Sequence, residues 1–192
     1  MRKIARMFFV TVGLLAIAAT TAQASTGVSL SSGGPITATG RLTMNGSTIC
    51  TVSLTLTSST TLRKTTGVTQ AQVTAGSITA CSSPIGVNSG AVLTPINIQY
   101  ASFSGTLPNI TGIGVTAPNA GFRLDAFSGA VRCLYGGNMT GITFNITGGR
   151  VTGVTFASNR LPLVSGSGLC PADGTVAGPL TVQGTAPTVT LV

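Results

Sequence analysis

Apolar and polar residues alternate with a period of two in many short segments of this sequence. In residues 50–57, which read CTVSLTLT, the apolar phase holds Cys50 and Val52, and every residue of the other phase is threonine or serine. Successive side chains of a β-strand point to opposite faces of its sheet. The segment therefore predicts a strand whose cysteine faces a core and whose hydroxyl groups face water.

The same alternation recurs along the chain between turn-forming residues. Further predicted strands are RLTMN (41–45), INIQY (96–100), GITFNIT (141–147), PLTVQG (179–184) and PTVTLV (187–192). No segment after the first 24 residues has a helical period of comparable length. Many short strands bounded by Gly, Pro, Asn and Ser are typical of antiparallel sandwiches and barrels. We predict a single all-β domain, an antiparallel β-sandwich or a barrel-like fold.

The first residues resemble a secretory signal peptide. A positive start with Arg2, Lys3 and Arg6 precedes an apolar run, and Ala22 and Ala24 fit the small residues required before a cleavage point. We expect a secreted, cell-surface or periplasmic protein with no membrane span after cleavage. The predicted division is a signal peptide at 1–24, a flexible lead-in at 25–40 and the β-sandwich domain at 41–192.

Charge is scarce and scattered in the predicted mature chain. Charged residues make up 6% of the sequence against 43% hydrophobic residues. Removing the signal leaves a net charge of +5, from Asp125, Asp173 and seven basic residues: Arg41, Arg63, Lys64, Arg123, Arg132, Arg150 and Arg160. Nucleic-acid binding needs a clustered basic surface. We therefore predict no nucleic-acid partner, and a surface whose solubility depends on hydroxyl groups.

Four cysteines remain after the signal, and an exported chain is expected to oxidise them into two disulfides. They are Cys50, Cys81, Cys133 and Cys170, and their spacing alone leaves three pairings open. A short internal repeat helps to choose, because GVTQA lies between the first two cysteines and GVTFA between the last two. The repeat favours the pairs Cys50–Cys81 and Cys133–Cys170.

The residues that most enzymes use for acid–base chemistry are missing from the sequence. It has no histidine and no glutamate, so the usual activated nucleophiles and zinc ligands are absent. Asp173 lies in PADGT, which predicts a turn, and Asp125 is expected to pair with Arg123 or to cap a turn. Lys64 would be the lysine of a Ser–Lys dyad, but LRKTTG predicts a hairpin turn. We predict no catalytic residue, no metal and no cofactor.

Four segments in order carry a resemblance to a known family. They are TATGRLTMNGSTICTVSLTLT (37–57), QVTAGSITAC (72–81), NITGIGVTAP (109–118) and LCPADGTVAGPLTV (169–182). With these segments the chain resembles the PraB family of secreted bacterial proteins, described as activators of alkane oxidation. The resemblance implies a small, exported, β-rich protein involved in growth on hydrophobic substrates and in biofilm or surface attachment. It supplies no catalytic residues.

Two functions are compatible with these observations. The leading hypothesis is a non-enzymatic protein for adhesion or biofilm matrix contact, with itself, cell-surface polysaccharide or hydrophobic surfaces as partners. Self-association would use exposed edges of TVSLTLTSSTTL or PTVTLV, which carry no charge to protect them. If both strands are instead internal and already paired, those edges are not available.

The alternative is a carrier that binds alkanes or lipids inside the fold. A connected apolar cavity of a few hundred cubic ångströms would favour the carrier, whereas a packed core is the simpler explanation for the phenylalanines. The candidates for that core are Phe103, Phe122, Phe127, Phe144 and Phe156.

Overall fold

Strands dominate the computed structural model, which describes residues 27–30, 35–58, 61–63, 65, 67–106 and 109–191. Within these residues the strands are β1 (Gly27–Leu30), β2 (Ile36–Met44), β3 (Thr48–Ser58), β4 (Thr61–Arg63), β5 (Thr69–Ser82), β6 (Val87–Val92), β7 (Ile96–Thr106), β8 (Asn109–Ala126), β9 (Val131–Thr147), β10 (Arg150–Ser165), β11 (Asp173–Val182) and β12 (Val189–Leu191). A 3-10 turn at Phe127–Gly129 joins β8 to β9. The predicted signal peptide lies outside the described residues.

Nine of these strands form one antiparallel sheet that closes on itself. Their order is β3-β2-β11-β10-β9-β8-β6-β5-β7, and further pairings join β3 to β5 and β7 to β8. β6 and β7 each pair with β5 on one side and with β8 on the other, over different parts of those two strands. They therefore share one position, and the nine strands form a closed ring of eight positions. The prediction of an all-β antiparallel fold is confirmed, and the sheet closes into an eight-position barrel.

The hairpin of β2 and β3 shows why the alternating sequence folds in this way. Asn45 and Gly46 adopt positive φ angles in the connecting turn, a conformation that asparagine and glycine tolerate better than other residues. The turn sets a register in which Leu42 pairs with Cys50. Both side chains are buried, whereas Thr51 on the other face is half-buried. The predicted inward orientation of Cys50 is therefore confirmed.

The two ends of the barrel differ. The closed end carries the β2–β3 turn and both disulfides, Cys50–Cys81 and Cys133–Cys170. The open end carries Ile36 at the start of β2, Ser58 at the end of β3 and the β9–β10 turn. Both disulfide pairs are the ones that the internal repeat favoured. Each fixes neighbouring segments at the closed end.

A second, three-stranded sheet lies at the open end. This small sheet has the order β12-β1-β4. At that end β1 leads into β2, β4 follows β3, and β12 follows β11. Hydrogen bonds from Val151 N to Pro187 O and from Val189 N to Gly149 O attach its β12 side to the β9–β10 hairpin. Val28 of β1 is 0% exposed and belongs to the main hydrophobic cluster. The small sheet thus packs against the barrel through an apolar side chain.

The predicted lead-in at 25–40 is not uniformly irregular. β1 lies within it, and β2 begins at Ile36, five residues before the predicted start of the domain. Gly33, Gly34 and Pro35 suggested a break, but Ile36 and Ala38 already alternate with Thr37 and Thr39. Because Ile36 and Ala38 are buried, the strand begins at Ile36.

The two segments predicted as unprotected edges have different surroundings. β3 pairs with β2 on one side and with β5 on the other, so it is internal in the ring. β12 pairs with β1, and its other side meets Arg150 through an isolated bridge at Thr188. The end of the first segment, Thr61 and Leu62, belongs to β4, the outer strand of the described three-stranded sheet, which pairs there with β1. The described part of these segments therefore presents a short edge at β4.

Asp173 does not lie in the predicted turn. It is the first residue of β11, and Gly174 follows within that strand. A Cβ atom on Gly174 would lie 2.5 Å from Cγ of Tyr135 and 2.7 Å from Cζ of Phe122. The glycine is therefore explained by the two rings packed over the strand, and the Asp-Gly pair was misread as a turn signal.

Candidate functional site

The interior of the barrel contains an apolar cavity of about 110 Å³. Side chains from all nine strands of the closed sheet line it, because alternate residues of each strand point inward. The lining includes Leu42, Val52, Leu54, Leu56, Val73, Ile98, Val115, Phe122, Ile142, Phe144, Val154 and Phe156. The structure is therefore a closed antiparallel sheet with an apolar cavity in its interior.

Small side chains explain why this part of the barrel is not filled. Four buried alanines line the cavity: Ala38, Ala71, Ala117 and Ala120. Protein interiors are normally close-packed, and eight-stranded barrels are just wide enough for side chains to fill them. An alanine at an inward position leaves unfilled the volume that leucine or phenylalanine would occupy there.

The closed end is solid. A layer of large side chains fills the barrel there, none of them more than 2% exposed: Met44, Cys50, Ile78, Leu124, Tyr135 and Leu161. Tyr135 packs its ring 5.1 Å from that of Phe122, and its phenol oxygen accepts a hydrogen bond from Asn45 Nδ2 at 3.2 Å. Burial raises the pKa of Tyr135, and the Asn45 bond opposes that rise. This layer separates the cavity from the closed end.

Burial decreases towards the open end. Along β3 the inward residues pass from buried Cys50 and Val52 to half-buried Leu54, Leu56 and Ser58. The cavity lining at this end also includes Gln70, Tyr100 and Val182, all half-buried. Among the described residues, the cavity lining is therefore least buried towards the open end, beside the small sheet.

Polar groups are few in the lining and are concentrated at the open end. Gln70 Nε2 donates to Arg63 O at 2.7 Å and to Thr65 O at 3.1 Å, which attaches β4 and its following loop to the cavity rim. Desolvation raises the pKa of Tyr100. The Ser58 hydroxyl oxygen is buried, and no described group forms a hydrogen bond with it.

The structure separates the phenylalanines that were predicted to form a core. Phe122, Phe144 and Phe156 are buried and line the cavity, and Phe103 packs beside the hydrophobic cluster. Phe127 is 59% exposed in the turn between β8 and β9, so its assignment to the core was wrong. It lies in the 3-10 turn Phe127–Gly129, with a φ of 51°, and so outside the strands whose alternate residues point inward.

The predicted charged sites are only partly brought together. Arg123 Nε lies 2.9 Å from Asp125 Oδ1, which is one of the two arrangements expected for Asp125, and Arg132 Nε lies 3.8 Å from the same atom. Lys64 lies outside the described residues. Among the residues that the structure describes, no cluster of three or more His, Cys, Asp or Glu side chains could hold a metal ion.

No helix in the described part of the chain has the length and apolar character needed to cross a membrane. Comparisons with protein-family models, curated proteins and solved structures found no match. The resemblance to the PraB family therefore stays a prediction from the sequence.

Proposed function

We propose that this protein is a non-enzymatic carrier that binds a hydrocarbon chain inside the barrel. The observation that carries the proposal is the apolar cavity, which four alanines keep open above a solid layer of large side chains. The sequence favoured surface attachment as the main function. The cavity supports the carrier more directly, because a concave, mostly apolar pocket is the usual form of a ligand site, although it is smaller than the few hundred cubic ångströms that would favour the carrier.

The cavity volume limits the ligand. Its 110 Å³ is smaller than the few hundred cubic ångströms of a site for a drug-sized molecule and is closer to an apolar cavity that binds benzene. We therefore propose that one end of a single alkyl chain enters, while a whole lipid does not.

A series of linear alcohols from butanol to decanol tests the carrier. Affinity should rise about fourfold per added carbon, since each buried methylene contributes about 0.8 kcal/mol, and should level off once the cavity is full. Isothermal titration calorimetry on the mature protein measures this dependence. Absence of binding for every alcohol would contradict the carrier function.

Methyl NMR spectra, recorded while the same alcohols are added to the protein, locate the bound ligand. Resonances of Leu54 and Val182, which line the cavity, should shift on addition of the alcohol. Ile49 and Leu169 are exposed at the closed end and serve as matched controls. Equal shifts at both pairs would indicate non-specific adsorption in place of binding in the cavity.

Attachment to hydrophobic surfaces is a second proposed function, and exposed apolar residues at the closed end support it. Five such residues come from five segments around that end: Ile49, Ile85, Phe127, Val164 and Leu169. Phe127 and Leu169 are 59% and 71% exposed. Exposed apolar side chains concentrated at one end of a molecule are typical of an interaction surface.

Replacing Phe127 and Leu169 together with serine tests this attachment. Adsorption to hydrocarbon droplets should fall at least about tenfold, because burying one large apolar side chain contributes about 1.5–3 kcal/mol. Depletion of the protein from the water phase gives the measurement. Val68→Ser, which removes an exposed apolar residue near the open end, is the control and should adsorb normally. Unchanged adsorption of the double variant would show that the closed end is not the attachment surface.

An oxidising location outside the cytoplasm is part of the proposal. Two disulfides are compatible with a periplasmic, cell-surface or secreted protein. Binding of hydrocarbon chains would also fit growth on hydrophobic substrates, which the resemblance to the PraB family implies.

A further inference from the structure

The small sheet is attached to the barrel by different groups on its two sides. Its β12 side is held by backbone hydrogen bonds to the β9–β10 hairpin. On its β4 side the Gln70 side chain forms the bonds: Nε2 donates to Arg63 O and Thr65 O, and Oε1 accepts from Arg63 N. Gln99 Nε2 adds a longer bond, of 3.4 Å, to Gly67 O. In the described residues the β4 side is thus attached through side chains, which can rotate away from their partners.

A β-bulge places Gln70 at the cavity. Between β5 and β7 the register shifts between Thr69 and Ala71, which makes Gln70 the extra residue. Adjacent residues of a regular strand point to opposite faces, yet Gln70 and Ala71 both line the cavity. Bulges at the rims of barrels often redirect a side chain in this way. The Gln70 side chain therefore borders the cavity while it also holds β4.

The cavity lining is least buried on the strands beside β4. β3, β5 and β7 are neighbours in the ring, with β5 in the middle. Every lining residue of β8, β9 and β10 is buried, whereas five of the seven half-buried lining residues belong to β3, β5 and β7. Those five are Leu54, Leu56, Ser58, Gln70 and Tyr100. The least covered part of the lining is therefore centred on the strand that carries Gln70.

We propose that a ligand enters the cavity between β4 and the open ends of β5 and β7, and that Gln70 controls this entrance. The inference rests on the carrier function proposed above. While its hydrogen bonds are formed, Gln70 keeps β4 against the cavity rim. When the side chain rotates away, β4 separates from the rim, and the backbone bonds on the β12 side keep the small sheet attached. The apolar lining determines affinity, so Gln70 determines the rates of entry and exit.

Gln70→Met is expected to accelerate exchange of octanol about tenfold. Methionine retains the length of the side chain and forms none of its hydrogen bonds, so the barrier to opening falls by about 1.4 kcal/mol. The rate constants for association and dissociation should rise together, and Kd should change by less than about twofold. Line shapes of the Leu54 and Val182 methyl resonances during a titration give the dissociation rate constant, and calorimetry gives Kd. Gln70→Ala provides a second variant should Gln70→Met fail to fold.

Two control variants separate this role from a general effect on the barrel. Gln72→Met changes the next glutamine of β5, which does not line the cavity and whose Nε2 donates to Asn97 Oδ1 at 2.9 Å. Arg150→Met removes the bond from Arg150 Nη1 to Ala186 O on the β12 side. Both controls should exchange octanol at the rate of the unmodified protein.

Unchanged exchange in a folded Gln70 variant would overturn the inference, as would equal acceleration in either control. In both cases binding of octanol would still support a carrier. If octanol does not bind to the unmodified protein, the entrance and the carrier function are both wrong.

Discussion

Ala38→Phe is expected to reduce hydrocarbon binding about a hundredfold while the protein remains folded. Ala38 is buried on β2 and lines the cavity, so a phenyl ring there occupies the space that the ligand needs. Excluding an apolar group about as large as a phenyl ring removes up to about 3 kcal/mol of binding free energy. Calorimetry with octanol measures the loss, and circular dichroism confirms that the strands are retained.

Thr39→Phe is the matched control, because it places the same ring one residue further along β2 on the outer face. Thr39 is half-buried and donates a hydrogen bond to Ser53 Oγ at 3.2 Å, outside the cavity. Its octanol affinity should equal that of the unmodified protein. Ala71→Phe provides a second cavity variant should Ala38→Phe fail to fold. Normal binding by a folded cavity variant would show that ligands bind elsewhere.

Removing one disulfide is expected to have the largest effect on stability. The Cys50–Cys81 and Cys133–Cys170 bonds close segments with sequence separations of 31 and 37 residues. In the loop-entropy model, each lowers the free energy of the folded state relative to the unfolded state by about 3–4 kcal/mol. Replacing both cysteines of one pair with alanine should therefore lower Tm by about 10 °C.

Scanning calorimetry of the two paired variants gives this measurement without leaving a free thiol. Loss of the Cys50–Cys81 bond and of the Cys133–Cys170 bond should have similar effects, because the loop lengths are similar. Octanol affinity below the unfolding transition should change little, since no cysteine lines the cavity. A Tm within 2 °C of the unmodified value would show that packing of the closed end stabilises the barrel without the disulfides.

Local sequence pattern was sufficient to predict several strands and the orientation of their side chains. The apolar phase of Cys50 and Val52 is buried, as period-two alternation predicts, and the internal repeat identified both disulfides. β8 was harder to recognise as a strand because glycines interrupt its pattern. A Cβ atom on Gly112 would lie 2.9 Å from the methyl group of Thr143 on β9. That glycine results from close approach between strands, which the local sequence does not reveal.

Closure of the sheet and the cavity depend on residues that are distant in sequence. β2 pairs with β11 through Met44 and Val176, and no periodicity within either strand indicates its partner. The alanines that line the cavity belong to β2, β5 and β8, and each is an ordinary strand residue by itself. Only the closed arrangement of the strands brings them around one space, so the sequence could not distinguish a filled interior from a hollow one.

The pairing of β2 with β11 also constrains the order in which the protein folds. These strands are separated by more than a hundred residues, so the ring cannot close until β11 has been synthesised. Until then β2 presents an unpaired edge, which can bind other unfolded chains. Folds dominated by such non-local contacts form slowly, because a long loop must be ordered before its contacts are gained. Closure of the ring by distant strands therefore leaves the unfinished polypeptide with exposed strand edges for as long as its last strands are missing.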